Sequence, residues 1–327
     1  MLKPIIAVLL ACGRTEHFNC ISNAIYKALL PFNGHPIVSY VSEALCESAV
    51  EKVFVIQCRG ENLQEVLQHS DKLIFISCDE PNPSLAGSLQ CSVGGLLDYY
   101  GEYELANKYI VFTPCDIPAV KPQDFNALIE QVNDGDIDFY TTFIDNRILK
   151  SCLAHRRFRS IYFHDLGGNF SQQGINIVSG RLFGYQSDSN EMRSLVMYDH
   201  DRNPIEGLSR IIDSFRKSRR STISLLLFLS GFIFKKLVSR GSIGITMRLA
   251  LSWMTRRLTL SIFNRAFSRS LNIKVGLLRS QSIAFSADVD KPSDFEDVEK
   301  LMRQCNQSAL HSSISQLYTS NIEKGAL

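Results

Sequence analysis

No aspartate or glutamate occurs between Ser214 and Ala287, a stretch that holds fourteen lysines and arginines, from Arg216 to Arg279. The whole chain carries only +2, so the remainder stands at −12 once those fourteen cations are set aside. That asymmetry directs one region toward an anionic partner. The nine cysteines include no Cys-x-x-Cys pair, and no Cys/His group has zinc-ligand spacing. An odd number of cysteines, several in apolar runs, speaks against a disulfide framework and for a reduced, cytoplasmic compartment. No apolar run reaches the roughly 20 residues of a bilayer-spanning helix. Thr222–Phe234 stops at thirteen and reads as a buried or interfacial helix. Met1–Cys12 ends in Leu-Ala-Cys like a lipoprotein leader, but its charged region is only Lys3 and it reads as a buried first strand. Neither a Walker A loop nor a dinucleotide fingerprint is present.

What is present suits a globular chain of 327 residues, 45% hydrophobic and 21% charged, with material for a sizeable core. Short apolar runs alternate with helical patterns through the first half. Ile5–Leu10, Lys52–Gln57, Leu73–Cys78, Tyr109–Pro114 and Ile137–Ile144 read as strands. Pro36–Ser48, Glu61–Ser70, Gly87–Tyr100 and Gln123–Val132 read as helices. Strands that are apolar throughout and separated by helices imply a parallel sheet covered on both faces. Beyond residue 150, Ser160–Phe163 and Gly174–Val178 read as short strands around a turn-rich loop at 164–169. Ile205–Phe215 is amphipathic, and the acid-free tract shows helical patterns at Ser224–Val238, Ile245–Trp253 and Leu258–Ser270. Ile273–Leu278 and Ile283–Ser286 return to strand character, and a final helix starts near Ser293.

Four places carry candidate chemistry. Ala11-Cys12-Gly13-Arg14 follows the first strand, where a small-residue turn lets backbone N–H groups approach phosphate, and Arg14 and Lys27 are the nearby cations. On these residues alone a plain strand and turn is the favoured reading. Asp116 directly follows an apolar strand, at the sheet edge where ligands bind, and could hold Mg²⁺ or simply start the turn before Pro118. Asp288 and Asp290 alternate, which in an extended segment puts both carboxylates on one side to share a metal; otherwise Asp290 caps the last helix. Ser92, Gly94 and Gly95 stand where a base or ribose could pack, or where a helix packs closely on its neighbour.

The order of these elements resembles the nucleotidyltransferase superfamily, most closely the MobA-like NTP transferases. Those commonly read LAGG, then K-A-L-L-P-x-x-G-x-P, then D-x-P after the fourth strand, then D-V-D-K-P-x-D. Here KALLPFNGHP (Lys27–Pro36), Asp116-Ile117-Pro118 and DVDKPSDF (Asp288–Phe295) match, and the resemblance spans roughly 5–145 and 273–304. It implies an α/β fold: an open, mostly parallel Rossmann-like sheet with helices on both faces, plus a helical basic subdomain inserted before the last strands. The expected organisation is a nucleotide-binding half at 1–150, an acceptor side at 151–213, a basic helical subdomain at 214–272, and final strands and helix at 273–327.

It further implies transfer of a nucleoside monophosphate from an NTP to a phosphorylated small-molecule acceptor, with Mg²⁺ as cofactor and pyrophosphate released. Lys27, Arg14 and Asp116 would be catalytic, and Ala11, Cys12, Gly13 and Ser92 would bind nucleotide. Asp116 with Asp288 or Asp290 would hold the metal. Gly167, Gly168 and Asn169 would face the acceptor, and Arg156, Arg157 and Arg159 could meet an anionic group on it. No nucleic-acid partner is expected. Cys12 stands where the family's loop has a glycine, which keeps open a protein that binds nucleotide without turnover. A peripheral contact of 214–287 with the inner membrane surface also stays open, as does a protein acting through those basic helices.

Overall fold

A computed structural model describes residues 3–15, 18, 26–80, 83–132, 137–153, 156, 158, 160–183, 243–271 and 273–303. Its main sheet is built from β1 (Ile5–Leu10), β4 (Val53–Cys58), β5 (Leu73–Cys78), β6 (Tyr109–Pro114), β7 (Phe139–Asp145), β8 (Ile161–Phe163), β9 (Gly168–Ser179) and β10 (Val275–Ser280). The order is β10-β7-β9-β6-β1-β4-β5, with β8 paired to β9. β1 runs parallel to both β4 and β6, β4 parallel to β5, and β7 parallel to β10. Among these strands only β9 reverses the direction: it is antiparallel to β6, β7 and β8.

Side chains along β1 alternate between two cores. Ile5, Ala7 and Leu9 enter one face, Ile6 and Val8 the other, as the strand period of two requires. The first face is covered by α1 (Ile37–Cys46), α3 (Pro122–Ile129) and the helical residues 294–303. In α1, Ile37, Val38, Val41, Ala44 and Leu45 are buried, the spacing of one helical face. The second face is covered by α2 (Leu85–Ala106) and α6 (Leu260–Leu271). Ser84 caps α2 by accepting from Gly87 N–H at 3.1 Å. Gly95 lets α2 sit directly on β5: a Cβ there would lie 2.3 Å from Ile76.

The acid-free tract is represented by α5 (Ile243–Met254) and α6. α6 buries Phe263, Ala266 and Phe267, and the Phe263 ring stacks on Phe267 at 4.2 Å and meets Phe163 at 5.5 Å. Leu260 N–H donates to the Asp165 carboxylate at 3.1 Å, and His164 N–H to Leu258 C=O at 2.7 Å. The last helix of the tract is thereby fastened to the β8–β9 hairpin. Ile205–Phe215, Thr222–Phe234 and Ser224–Val238 lie outside the described residues.

Several expected elements differ. Ile283–Ser286 is not a strand: Ala284–Ser286 forms a 3₁₀ turn, and no strand of the sheet pairs with it. Glu61–Ser70 contains only a 3₁₀ turn, Leu63–Glu65. The hairpin strand is longer than Gly174–Val178, because its polar first half completes its hydrogen bonding against β7 and β8. Gly168 and Asn169 therefore belong to a strand and not to a loop.

Candidate functional site

The strand order reverses between β1 and β6, since β4 and β5 extend from one side of β1 and β6 lies on the other. Loops leaving the carboxyl ends of β1 and β6 must meet there, and this crevice is where open α/β sheets bind ligands. Ala11–Gly13 leave β1 at this point and Cys115-Asp116 leave β6.

Lys27 is brought in by backbone pairing. Arg14 and Tyr26 form an antiparallel bridge, and Lys27 N–H donates to Gly13 C=O at 2.6 Å. The lysine begins a 3₁₀ turn, Lys27–Leu29. That turn leads into the hairpin of β2 (Pro31–Phe32) and β3 (His35–Pro36). Asn33 and Gly34 both take positive φ, 48° and 84°, as a two-residue hairpin loop of this kind demands. The KALLPFNGHP motif thus serves mainly to turn the chain and set Lys27 at the switch point.

The Lys27 ammonium donates to Asp116 Oδ2 and, at 2.8 Å, to Asp290 Oδ1. Burial by itself would lower its pKa, but the charges of Asp116 and Asp290, aided by their hydrogen bonds, outweigh it and hold the lysine well above its ordinary value. Among the described residues, Asp116 Oδ1 is buried and receives no hydrogen bond. A buried carboxylate oxygen without a donor is costly unless something cationic completes it. The donor set around it, two carboxylates and no sulfur or imidazole, suits a hard divalent ion such as Mg²⁺. Among the described residues no group of three or more His, Cys, Asp or Glu side chains is placed to hold a metal ion, so waters and substrate oxygens would supply the other positions.

Asp288 does not join this group. Arg156 takes it, through Nη1 to its carbonyl at 3.0 Å and its Oδ1 at 3.4 Å. The same guanidinium pairs with Asp294 at 3.3 Å and Asp297 at 3.4 Å. Asp294, only 5% exposed, accepts the N–H groups of Asp290 and Lys291, each at 2.9 Å. Asp294 thereby fixes the backbone at Asp290 and Lys291, while Arg156 holds Asp288. Val289 N–H donates to Asp116 C=O at 2.9 Å and ties this turn to the β6 loop. Arg156 is thus engaged by three carboxylates and not available to an acceptor anion; Arg157 and Arg159 lie outside the described residues.

The remaining expected residues are placed as follows. Ala11 N–H donates to Ile56 C=O at 3.0 Å, so it completes the sheet and is not open to phosphate. The N–H groups of Cys12 and Gly13 have no partner among the described residues. Cys12 directs its sulfur inward, 3.4 Å from Ile56 C=O and 3.8 Å from Cys78 Sγ, within the second core. Its side chain does not fill the mouth of the loop, and Gly13 has no positive φ. Arg14 is exposed. Ser92 is fully buried and its hydroxyl donates to Ser88 C=O at 2.6 Å, two turns inside α2. Gly168 lies at the carboxyl edge of the sheet beside Asp145 and Arg147: a Cβ on it would be 3.7 Å from Arg147 Nη2. Gly167 turns the hairpin with φ 60°, and Asn169 is exposed.

Glu61 escaped the sequence reading, because nothing in the local pattern marks a carboxyl in a turn as buried. It is 4% exposed, accepts Cys58 N–H at 3.1 Å, and has its other oxygen buried without a donor. Burial pushes its pKa up to about 7 from 4.5. The raised value means that stability is full below 4.5 and falls as pH rises through 7, by about 3 kcal/mol at 1.36 kcal/mol per unit. Glu61→Gln should flatten that slope and raise Tm at pH 8 relative to the parent chain; melting curves from pH 4 to 9 check it.

Residues 7–169 match the family model for the MobA-like NTP transferase domain. Among solved structures, a hypothetical transferase from Thermus thermophilus superposes with a TM-score of 0.58 at 15% identity, over 90% of this chain and 99% of that one. This similarity shows a shared fold. A nucleotidyl transferase from Methanothermobacter thermautotrophicus (TM-score 0.47, 15% identity, 92% of this chain and 99% of that one) is a more distant match. So is a CMP:2-keto-3-deoxy-manno-octonic acid synthetase complexed with CTP (TM-score 0.47, 14% identity, 92% and 99%). No curated protein matches the chain.

Proposed function

On the premise that this chain carries a MobA-like NTP transferase domain and is a transferase of the nucleotidyltransferase class, we propose that it moves a nucleoside monophosphate from an NTP to a phosphorylated acceptor. The reading rests on one observation above the rest: Lys27, Asp116 and Asp290 converge at the switch point, and Asp116 keeps a buried oxygen without a donor. An oxygen of the acceptor phosphate attacks the α-phosphorus, the α–β bridging P–O bond breaks, and pyrophosphate leaves. The acceptor is already an anion, so no general base is needed, and positioning with charge neutralisation supplies the rate.

The Cys12 and Gly13 N–H groups and the Arg14 side chain are the donors for the β- and γ-phosphates. Lys27 stays protonated throughout the working pH range, because its carboxylate neighbours raise its pKa, and it neutralises charge that builds on the leaving pyrophosphate. Asp116 and Asp290 would hold Mg²⁺, which when bound would supply positive charge to offset that of the phosphates. Arg147 and Asn169, at the same edge of the sheet as Gly168, would meet the acceptor. The seven described cysteines are free thiols, which supports a reducing, cytoplasmic setting.

A ligand that binds only the native state raises stability. Each of CTP, GTP, ATP and UTP should therefore be tested by thermal shift with Mg²⁺, and one is expected to raise Tm clearly above the others. A nucleotide that binds yet never releases pyrophosphate with any of a panel of sugar, polyol and cofactor phosphates would favour a binding protein without turnover. The inward direction of Cys12 argues for turnover, since its sulfur leaves the loop open.

A further inference from the structure

α5 presents apolar side chains on two opposite faces. Leu249 is buried, and Ile245 and Trp253 pack beside it against the second core. On the other side Met247, Leu251 and Met254 stand 68%, 64% and 82% exposed. Their spacing of four and then three residues places them in one stripe along the helix. These three are half of the large hydrophobic residues exposed among the described residues. The inward face already anchors the helix, so the outward stripe does nothing for the core. A contiguous apolar strip left in water marks a docking surface.

The surroundings identify the occupant by charge. Arg248 flanks the stripe and is exposed, and Arg256 and Arg257 follow its end, also exposed. On α6 the inward residues Phe263, Ala266 and Phe267 leave Ser261, Arg265 and Arg269 on the outward side. An apolar stripe on one helix thus neighbours a cationic row on the next, and the two helices pack together. The sequence from Ser214 to Ala287 holds no acidic residue. A second copy of this chain meeting the stripe with its own stripe, about a two-fold axis, would bring arginines against arginines. The charged side chains of the preceding stretch are likewise all cations, Arg216, Lys217, Arg219, Arg220, Lys235, Lys236 and Arg240. A surface that is negative at its face and apolar just beneath satisfies both features.

We propose that the outward face of α5, with the arginines of α5 and α6, docks on an anionic lipid bilayer, Met247, Leu251 and Met254 entering the acyl boundary while the guanidinium groups meet lipid phosphates. The contact is peripheral: among the described residues no helix is long and apolar enough to cross a membrane. It holds the chain at the surface whether or not a reaction is under way.

The test is co-flotation of the full chain with vesicles of phosphatidylcholine alone or mixed with phosphatidylglycerol. Binding is expected only to the anionic vesicles, and it should weaken as salt rises. The double substitution Met247→Glu with Leu251→Glu should lower partitioning by about tenfold or more. Both side chains are exposed, so Tm and oligomeric state should stay at parent values, which separates lost docking from lost folding. Failure of the parent chain to float with anionic vesicles at low salt overturns the proposal. So does a double variant that floats as well as the parent. If light scattering shows a parent dimer that the double variant dissolves, the stripe is a contact between copies and the proposal is likewise wrong.

Discussion

Asp116→Asn is expected to lower nucleotidyl transfer by about a thousandfold, the scale seen when a principal electrostatic group is removed from a preorganised site. Asparagine keeps the shape of the side chain and can still accept from Lys27. What it removes is the charge that, with Asp290, offsets the burial of the ammonium. Lys27 should then titrate lower than in the parent chain. The buried Oδ1 would become part of a neutral amide, a poorer ligand for a divalent ion. Two readouts follow: a fall in kcat, and a need for more Mg²⁺ to reach half-maximal rate. The fold should survive, since Asp116 C=O still accepts Val289 N–H. A variant with parent-like kcat and Mg²⁺ dependence would remove Asp116 from the machinery.

Arg156→Met should bring the largest loss of stability, about 3–5 kcal/mol, the usual result of leaving a buried charge without its partner. The arginine faces Asp288, Asp294 and Asp297 together, and methionine compensates none of them. Asp294 matters most because it is buried and because it orders the turn bearing Asp290. Urea unfolding measures the stability term. Turnover should fall in parallel as Asp290 loses its position, and Arg156→Lys should recover only part of both, since an ammonium lacks the planar fork.

Much of the site can be read in the chain before any coordinates. β1 and β6 are apolar throughout, so Gly13 and Asp116 had to stand at their carboxyl ends, and the Asn33-Gly34 turn fixes the path after Lys27. What is hidden depends on packing. Alternation marks Asp288 and Asp290 as a pair, but their partners are set by packing: Lys27 donates to Asp290 and Arg156 holds Asp288. Ser92 lies on the expected helix, yet the face it occupies is decided by how α2 sits on β5, which Gly95 controls. β9 begins Gly-Asn-Phe-Ser-Gln-Gln, too polar to read as a buried strand, and becomes one because its neighbours β7 and β8 supply the hydrogen bonds. Arg156 reads in the sequence as a cation for an acceptor anion, since its three carboxylate partners lie more than a hundred residues away.

The central claim is that the Lys27–Asp116–Asp290 group transfers a nucleotidyl unit. Its most direct measurement follows an α-labelled NTP, chosen by the thermal-shift screen, through a single turnover with Mg²⁺ and the panel of phosphorylated acceptors. Label should pass into an acceptor product in step with pyrophosphate release in the parent chain, and neither should occur with Asp116→Asn. Release of nucleoside diphosphate and inorganic phosphate instead, with the label never joined to an acceptor, would contradict it.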